Sequence, residues 1–242
     1  AKFINCEDKE LILTKGTTES INLIAYSFGM NLKSGDEIIL SEMEHHSNIL
    51  PWQMLINKKN IKLRYIPILN NGELNLDSLN SLINKKTKLI SIIHMSNVLG
   101  TINPIDKIIS KAIKNNIPIL IDAAQSISHQ KIDVKKLGCD FLVFSGHKMM
   151  GPTGVGGLYI NKNYLNKLDP FLRGGNMIKE VDYEESTWND PPWKFEAGTA
   201  NIAQAIGLAS SIDYINSINM NHIKKHENLL LAHLLKKLKT IN

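Results

Sequence analysis

Apolar and polar residues along this chain switch between two spacings, and the switching predicts an α/β protein. Leu11-Ile12-Leu13 predicts a short strand, and from about Thr18 to Met30 the spacing becomes helical, with Ile21, Ile24, Ala25 and Phe28 on one stripe. Further strands are expected over 36–40, 61–66, 89–94 and 117–121, with helices over 47–58, 76–83 and 104–114 between them. Pro104 opens the last of these helices, at a first-turn position where its missing N–H costs nothing. Ile117 to Ile121 is wholly apolar, the mark of a strand buried on both faces. Strands over 141–144 and 157–160 complete the set. Strands alternating with amphipathic helices predict a mainly parallel seven-stranded sheet sandwiched by helices.

From Phe171 to Pro192 the periodicity lapses into Gly, Asp, Glu, Pro and Trp, which predicts a long loop of functional or interfacial use. Helices are expected again over 201–216, carrying Ile202, Ala205, Ile206, Ala209 and Ile212, and over 221–239. There is no internal repeat and no low-complexity linker.

Composition narrows the classes. Hydrophobic and charged fractions of 43% and 21% are those of an ordinary globular chain, which argues against disorder. No apolar run approaches the roughly 18 residues that cross a bilayer, so no membrane partner is expected. The net charge of +5 is carried almost wholly by lysine, the arginines being Arg64 and Arg173. These lysines are scattered among Ile and Asn and form no basic cluster, so no nucleic-acid partner is expected. Cys6 and Cys139 are too few for a disulfide framework and lack metal-ligand spacing, which fits a reducing compartment. Cys139 heads an apolar run and reads as a small core residue; Cys6 lies in a polar turn with nothing nearby to lower its pKa. The chain has no signal peptide or presequence and enters strand-like sequence almost at once without an initiator Met. A missing beginning is expected, and with it a cytoplasmic location that leaves an organelle open.

The candidate chemistry gathers at predicted strand ends, where ligands bind in open α/β sheets. Ser145-Gly146-His147-Lys148 follows the strand over 141–144, and glycines flank the turn. A lysine there can form a Schiff base with an aldehyde cofactor if its site favours the neutral amine; a surface lysine in a glycine turn is the bland alternative. Gly16-Thr17-Thr18-Glu19 opens a helix, either as a phosphate site of free N–H groups and hydroxyls or as a simple capping box. In Glu44-His45-His46-Ser47-Asn48 the adjacent histidines point apart, so a metal site is disfavoured and an imidazole stacked on a ring is preferred. Asn97 ends the strand over 89–94 in polar company, where it can meet a phenolic oxygen or serve its own turn. Asp122, closing the apolar run Ile119-Leu120-Ile121, needs a partner, because an isolated buried charge is very costly. That partner is a protonated pyridine nitrogen or, as in many α/β enzymes, a magnesium ion.

Taken in order, these strings resemble a fold-type I pyridoxal phosphate enzyme of the class V aminotransferase family. The likeness is closest to the SufS-like (group II) cysteine desulfurases and the related selenocysteine lyases. It is carried by T-K-G-T-T-E-S-I-N-L, E-M-E-H-H-S-N-I-L-P-W-Q, H-M-S-N-V-L-G, D-A-A-Q-S, S-G-H-K-M-M-G-P-T-G-V-G-G-L-Y and F-E-A-G-T. The resemblance implies pyridoxal 5'-phosphate as cofactor and Lys148 as the residue that binds it and moves the substrate's α-proton. It implies that Asp122 keeps the ring nitrogen protonated, that His45 stacks on the ring, and that Asn97 and Gln125 meet the phenolic oxygen region. Thr17, Thr18, Ser145 and His147 would hold the phosphate, and Thr199 would reach the cofactor of the neighbouring subunit in a homodimer. No metal is implied.

The implied activity converts L-cysteine to L-alanine and passes sulfur to an acceptor protein of iron–sulfur cluster assembly. The alternatives are a selenocysteine lyase and a non-catalytic remnant that binds pyridoxal phosphate. Residues 1–218 would be the cofactor-binding large domain with a shortened N-terminal arm. Residues 219–242 would start the link to a C-terminal small domain absent from the sequence. The family's persulfide-forming cysteine and carboxylate-binding arginine belong to that domain, and neither Cys6 and Cys139 nor Arg64 and Arg173 match their motifs.

Overall fold

The computed structural model describes residues 1–241. Its main sheet is built from β1 (Leu11–Thr14), β2 (Glu37–Ser41), β3 (Lys62–Ile66), β4 (Thr87–Ile93), β5 (Ile119–Asp122), β6 (Phe141–Ser145) and β7 (Gly156–Ile160). In space they run β1-β7-β6-β5-β4-β2-β3, and β7 alone is antiparallel to its neighbours. The helices are α1 (Thr17–Ser27), α2 (Leu50–Lys59), α3 (Leu76–Leu82), α4 (Ile105–Lys114), α5 (Val134–Leu137), α6 (Lys162–Leu165), α7 (Ile202–Ile218) and α8 (Met220–Leu238). A separate hairpin pairs β8 (Ile178–Val181) with β9 (Ser186–Trp188).

Successive residues of a strand point to opposite faces, so a continuous apolar run supplies two cores at once. In β5, Ile119 and Ile121 join one cluster while Leu120 joins the other. The first cluster packs Ile90, Ile92 and Leu142 against Ile105, Ile108 and Ile109 of α4 and Leu208 and Ile215 of α7. The second packs Ile38, Leu40, Leu89 and Val143 against Ile21 and Ile24 of α1 and Trp52 and Leu55 of α2. Each fully buried Ile or Leu contributes roughly 1.5–3 kcal/mol of transfer free energy. The central strands are therefore the most strongly held, and their C-terminal ends form a rigid rim.

Several expectations need correction. The helix expected to reach Met30 ends at Ser27, and Gly29–Asn31 turns as a 3-10 helix. The helix expected from Ser47 begins at Leu50, because a 3-10 turn over His46–Asn48 precedes it and Pro51 takes a first-turn position. The strand expected over 117–121 runs from Ile119 to Asp122, so the aspartate belongs to the strand. The region 171–192 is not all loop: cross-strand hydrogen bonding supplies β8 and β9 where single-strand periodicity was too short to register. On α7 the buried residues are Leu208, Ser211 and Ile215, whereas Ile202 and Ile206 are 62% and 63% exposed.

Asn219, with φ 73°, separates α7 from α8. The α8 helix touches the body through Met220 and Ile223 and through the His129 Nδ1–Glu227 Oε1 contact at 2.6 Å. Among the described residues no helix is long and apolar enough to cross a membrane.

Candidate active site

Four parallel strand ends and the start of one helix surround a cavity of about 250 Å³, lined by Thr17, Thr18, His45, Ser47, Ile93, Asn97, Asp122, Ala124, Gln125, Ser145, His147 and Lys148. Nine of the ten residues singled out in the sequence thus meet at one place. Thr199 does not. It is exposed and lines a different cavity with Thr14, Glu19 and Glu196.

The turn from β1 into α1 is drawn tightly against β6 and β7. Gly16 has φ 146° and packs so closely that an added Cβ would lie 3.1 Å from the Ser145 Oγ. Across the sheet, a Cβ on Gly156 would overlap the Phe144 carbonyl oxygen and sit 2.6 Å from the Gly16 Cα. This approach lets Ser145 Oγ accept the Thr17 N–H at 2.9 Å and donate to Thr17 Oγ1 at 2.9 Å. The capping-box alternative is not realised, because the N-cap is Gly16, which has no side chain, and the Thr17 N–H goes to Ser145 Oγ across the sheet. With the Thr17 N–H taken by Ser145, the dipole of α1 and the Thr18 and Glu19 N–H groups remain for an anion.

Asp122 is 1% exposed, and its carboxylate accepts the Ala124 N–H at 2.9 Å. Burial pushes its pKa up to about 6, against the pull of the Ala124 hydrogen bond and the Lys148 charge. A carboxylate this deep, with one backbone donor and a lysine across the cavity, is poised to take a cationic partner.

His45 ends the stretch after β2 and caps the 3-10 turn over His46–Asn48, its Nδ1 accepting the Ser47 N–H at 3.1 Å. A backbone N–H can only donate, so Nδ1 is the acceptor and Nε2 carries the proton. Burial, then the Lys148 charge, then His46 lower the His45 pKa, which keeps the ring neutral. Ser47 Oγ stands 3.0 Å from His45 Nδ1 and 2.9 Å from Thr18 Oγ1, tying the imidazole to the head of α1.

Sequence reasoning passed over Ser47, and with it Glu44 and Asn48. Glu44 is buried and accepts from Ser41 Oγ at 2.5 Å, Asn48 Nδ2 at 2.6 Å and Ile93 N–H at 3.0 Å. Its signal in the sequence is a carboxylate in the short stretch between an apolar strand and a helix, where burial demands partners.

Neither cysteine lines the cavity. Burial pushes the Cys6 thiol up to about 11 and the Cys139 thiol up to about 12. Arg173 stacks over the Trp188 ring at 5.2 Å, on the β8–β9 hairpin, and neither it nor Arg64 lines the cavity. Among the described residues no group of three or more His, Cys, Asp or Glu side chains is arranged to hold a metal.

Comparison with known proteins agrees with this geometry. The family described as Aminotransferase class-V matches residues 1–242. A cysteine desulfurase of Wigglesworthia glossinidia brevipalpis is 50% identical over 246 residues, covering 100% of this chain and 60% of that protein. A probable cysteine desulfurase of Halalkalibacterium halodurans is 48% identical, covering 98% of this chain and 59% of the relative. The apo structure of a cysteine desulfurase from Thermococcus onnurineus NA1 superposes with a TM-score of 0.95 at 41% identity, over 99% of this chain and 60% of that one. The chain therefore spans about 60% of the length of these relatives. On sequence, on the order of its strands and on the residues gathered at their ends, the chain belongs to the class-V aminotransferase family.

Proposed function

We propose that this chain is the cofactor-binding part of a pyridoxal phosphate-dependent cysteine desulfurase, with the cofactor seated between Asp122 and Lys148. The observation that carries the reading is Asp122: a fully buried carboxylate, held by one backbone N–H, in the same cavity as Lys148 and His45. The residues fit the group. A cationic ring nitrogen would satisfy Asp122, and the start of α1 with Thr17, Thr18, Ser145 and His147 suits a phosphate. Asn97 and Gln125 would meet the phenolic oxygen. Bound there, pyridoxal phosphate supplies an electron sink that makes the α-proton of an amino acid removable.

Lys148 holds the cofactor and carries the α-proton away from and back to the substrate. Asp122, ionised, holds a proton on the ring nitrogen. His45 offers a neutral face to the ring, and its Nδ1–Ser47 contact keeps that face fixed. The substrate is L-cysteine, the product L-alanine, and the sulfur goes to an acceptor protein of iron–sulfur assembly, as in the SufS-like group. Residues 1–218 are the cofactor-binding domain and 219–242 begin a link to the remainder. The assembly is a homodimer in which Thr199 serves the neighbouring site, and its setting is the cytoplasm or an organelle.

Burial raises both thiols of this chain far above neutrality, so turnover by this chain would pass the sulfur to the added thiol reductant. The same observation favours a second reading, a pyridoxal phosphate binder without turnover. Titration with pyridoxal phosphate, then incubation with cysteine and a reductant, separates the two. Binding with sulfide and alanine formed above the free-cofactor control supports the desulfurase. Binding without turnover supports the second reading, and no binding overturns both.

A further inference from the structure

Glu44 and Asn48 form a closed hydrogen-bond network under the cavity wall. Glu44 Oε1 accepts from Ser41 Oγ and from the Ile93 N–H, and Oε2 accepts from Asn48 Nδ2. Asn48 Oδ1 in turn accepts from Trp52 Nε1 at 2.9 Å and Ser91 Oγ at 2.6 Å. Glu44, Asn48, Ser41, Ser91 and Trp52 are all buried. One carboxyl thereby joins the end of β2, the turn leading into α2 and the end of β4. Two cavity residues adjoin it: Ile93, whose N–H it accepts and which pairs with Asp122 across the sheet, and His45, its neighbour in the chain.

We propose that Glu44 is a positioning residue for the candidate active site, fixing the His45 ring against the wall formed by Ile93 and Asp122. This rests on the reading of the cavity as a pyridoxal phosphate site. The donor pattern makes the carboxyl specific. Each Glu44 oxygen accepts an N–H, whether the carboxyl is ionised or carries its proton towards Ser41 Oγ, so an amide in either orientation sets its own NH2 against a donor, Ile93 N–H or Asn48 Nδ2. Reversing the partner cures the conflict. When Glu44→Gln is combined with Asn48→Asp, the new amide donates to the new carboxylate, and its oxygen still accepts from Ser41 and Ile93. The carboxylate still accepts from Trp52 and Ser91. The network therefore predicts that Glu44→Gln is harmful alone and repaired by Asn48→Asp.

The test is equilibrium binding of pyridoxal phosphate to the protein, followed by its visible absorbance, with thermal unfolding of each cofactor-free variant beside it. Glu44→Gln is expected to weaken binding by about tenfold, and the Glu44→Gln/Asn48→Asp pair to return it to within about threefold of wild type. In a His45→Ala background, Glu44→Gln is expected to change binding by less than about twofold, because its effect runs through the ring already removed. Ser41→Ala, which deletes one donor and leaves Ile93 N–H and Asn48 in place, repeats the comparison if Glu44→Gln does not fold. Unchanged binding in these variants, no repair by the pair, or an equal loss with and without His45 would overturn the proposal alone. Failure of the wild-type protein to bind pyridoxal phosphate would overturn the cavity reading and the proposal with it.

Discussion

Ser145 and Thr17, 128 residues apart, are locked by two hydrogen bonds: the Thr17 N–H to Ser145 Oγ and Ser145 Oγ–H to Thr17 Oγ1, each 2.9 Å. The pair fastens the head of α1 to the end of β6, and thus sets the anion-binding start of a helix beside the Lys148 turn. Its dependence on close backbone approach makes Gly156 a sensitive position. Gly156→Ala would press a Cβ onto the Phe144 carbonyl and the Gly16 Cα, both backbone and unable to swing aside. The expected cost is about 1–3 kcal/mol of stability. Urea unfolding together with pyridoxal phosphate titration measures it, and an unchanged midpoint would show that the approach is slack.

Lys148 is half-buried and makes no packing contribution of the size that core residues do, so Lys148→Ala should leave stability within about 0.5–1 kcal/mol. Borohydride reduction should then no longer attach pyridoxal phosphate covalently. The Lys148 charge also pulls the pKa values of both Asp122 and His45 downward. In the variant both should titrate higher, which NMR of the His45 ring resolves. Covalent trapping retained in Lys148→Ala would reject its role.

Asp122→Asn should act in opposite directions on the empty and the loaded protein. Without cofactor it removes a desolvated carboxylate, so stability near neutral pH should hold or rise. With cofactor it removes one partner of a buried ion pair, a loss of about 3–5 kcal/mol, and affinity should fall by roughly 10²–10⁴-fold. Parallel thermal unfolding and cofactor titration give both signs. An unweakened affinity would remove Asp122 from the site.

Two buried carboxyls titrate high, with consequences for stability against pH. Burial raises Asp122 from 3.8 to about 6 and Glu44 from 4.5 to about 8. A carboxyl with a raised folded pKa binds more protons folded than unfolded, so stability falls as pH rises through the interval between the two values. The cofactor-free protein should lose this contribution from about pH 4 to pH 8, Asp122 over the lower part and Glu44 over the whole. Subtracting Glu44→Gln from wild type isolates the upper part. If the difference in unfolding free energy between about pH 6 and pH 8 is flat, Glu44 is not a high-titrating group.

Ser47 bridges His45 Nδ1 and Thr18 Oγ1. Ser47→Ala and Thr18→Ala should each weaken pyridoxal phosphate binding by about 0.5–1.5 kcal/mol, and the double variant by less than the sum. Strict additivity in the cycle would mean that the two hydroxyls do not act together.

Much of this was legible in the residues. The seven strands, the alternation with helices and the strand-end placement of Lys148, Asp122, His45 and Asn97 follow from periodicity, which is a local property written by side-chain spacing. The hairpin β8–β9 was not, because short exposed strands owe their form to cross-strand hydrogen bonds with no periodic trace. Nor were the end of α1 and the start of α2, where Gly29–Asn31 and His46–Asn48 turn as 3-10 helices.

The sequence by itself determined which chemistry is present: a lysine in a glycine turn, an aspartate ending an apolar strand, an imidazole and the hydroxyls of a helix start. Only the tertiary structure decided that nine of those residues share one cavity and that Thr199 faces another. It alone disclosed that Glu44, unremarkable in its string, is buried and takes an N–H from Ile93, 49 positions away. The physical reason is one of range. Side-chain type and spacing are encoded residue by residue, whereas burial, and the hydrogen bonds burial demands, depend on which distant strands the chain brings alongside.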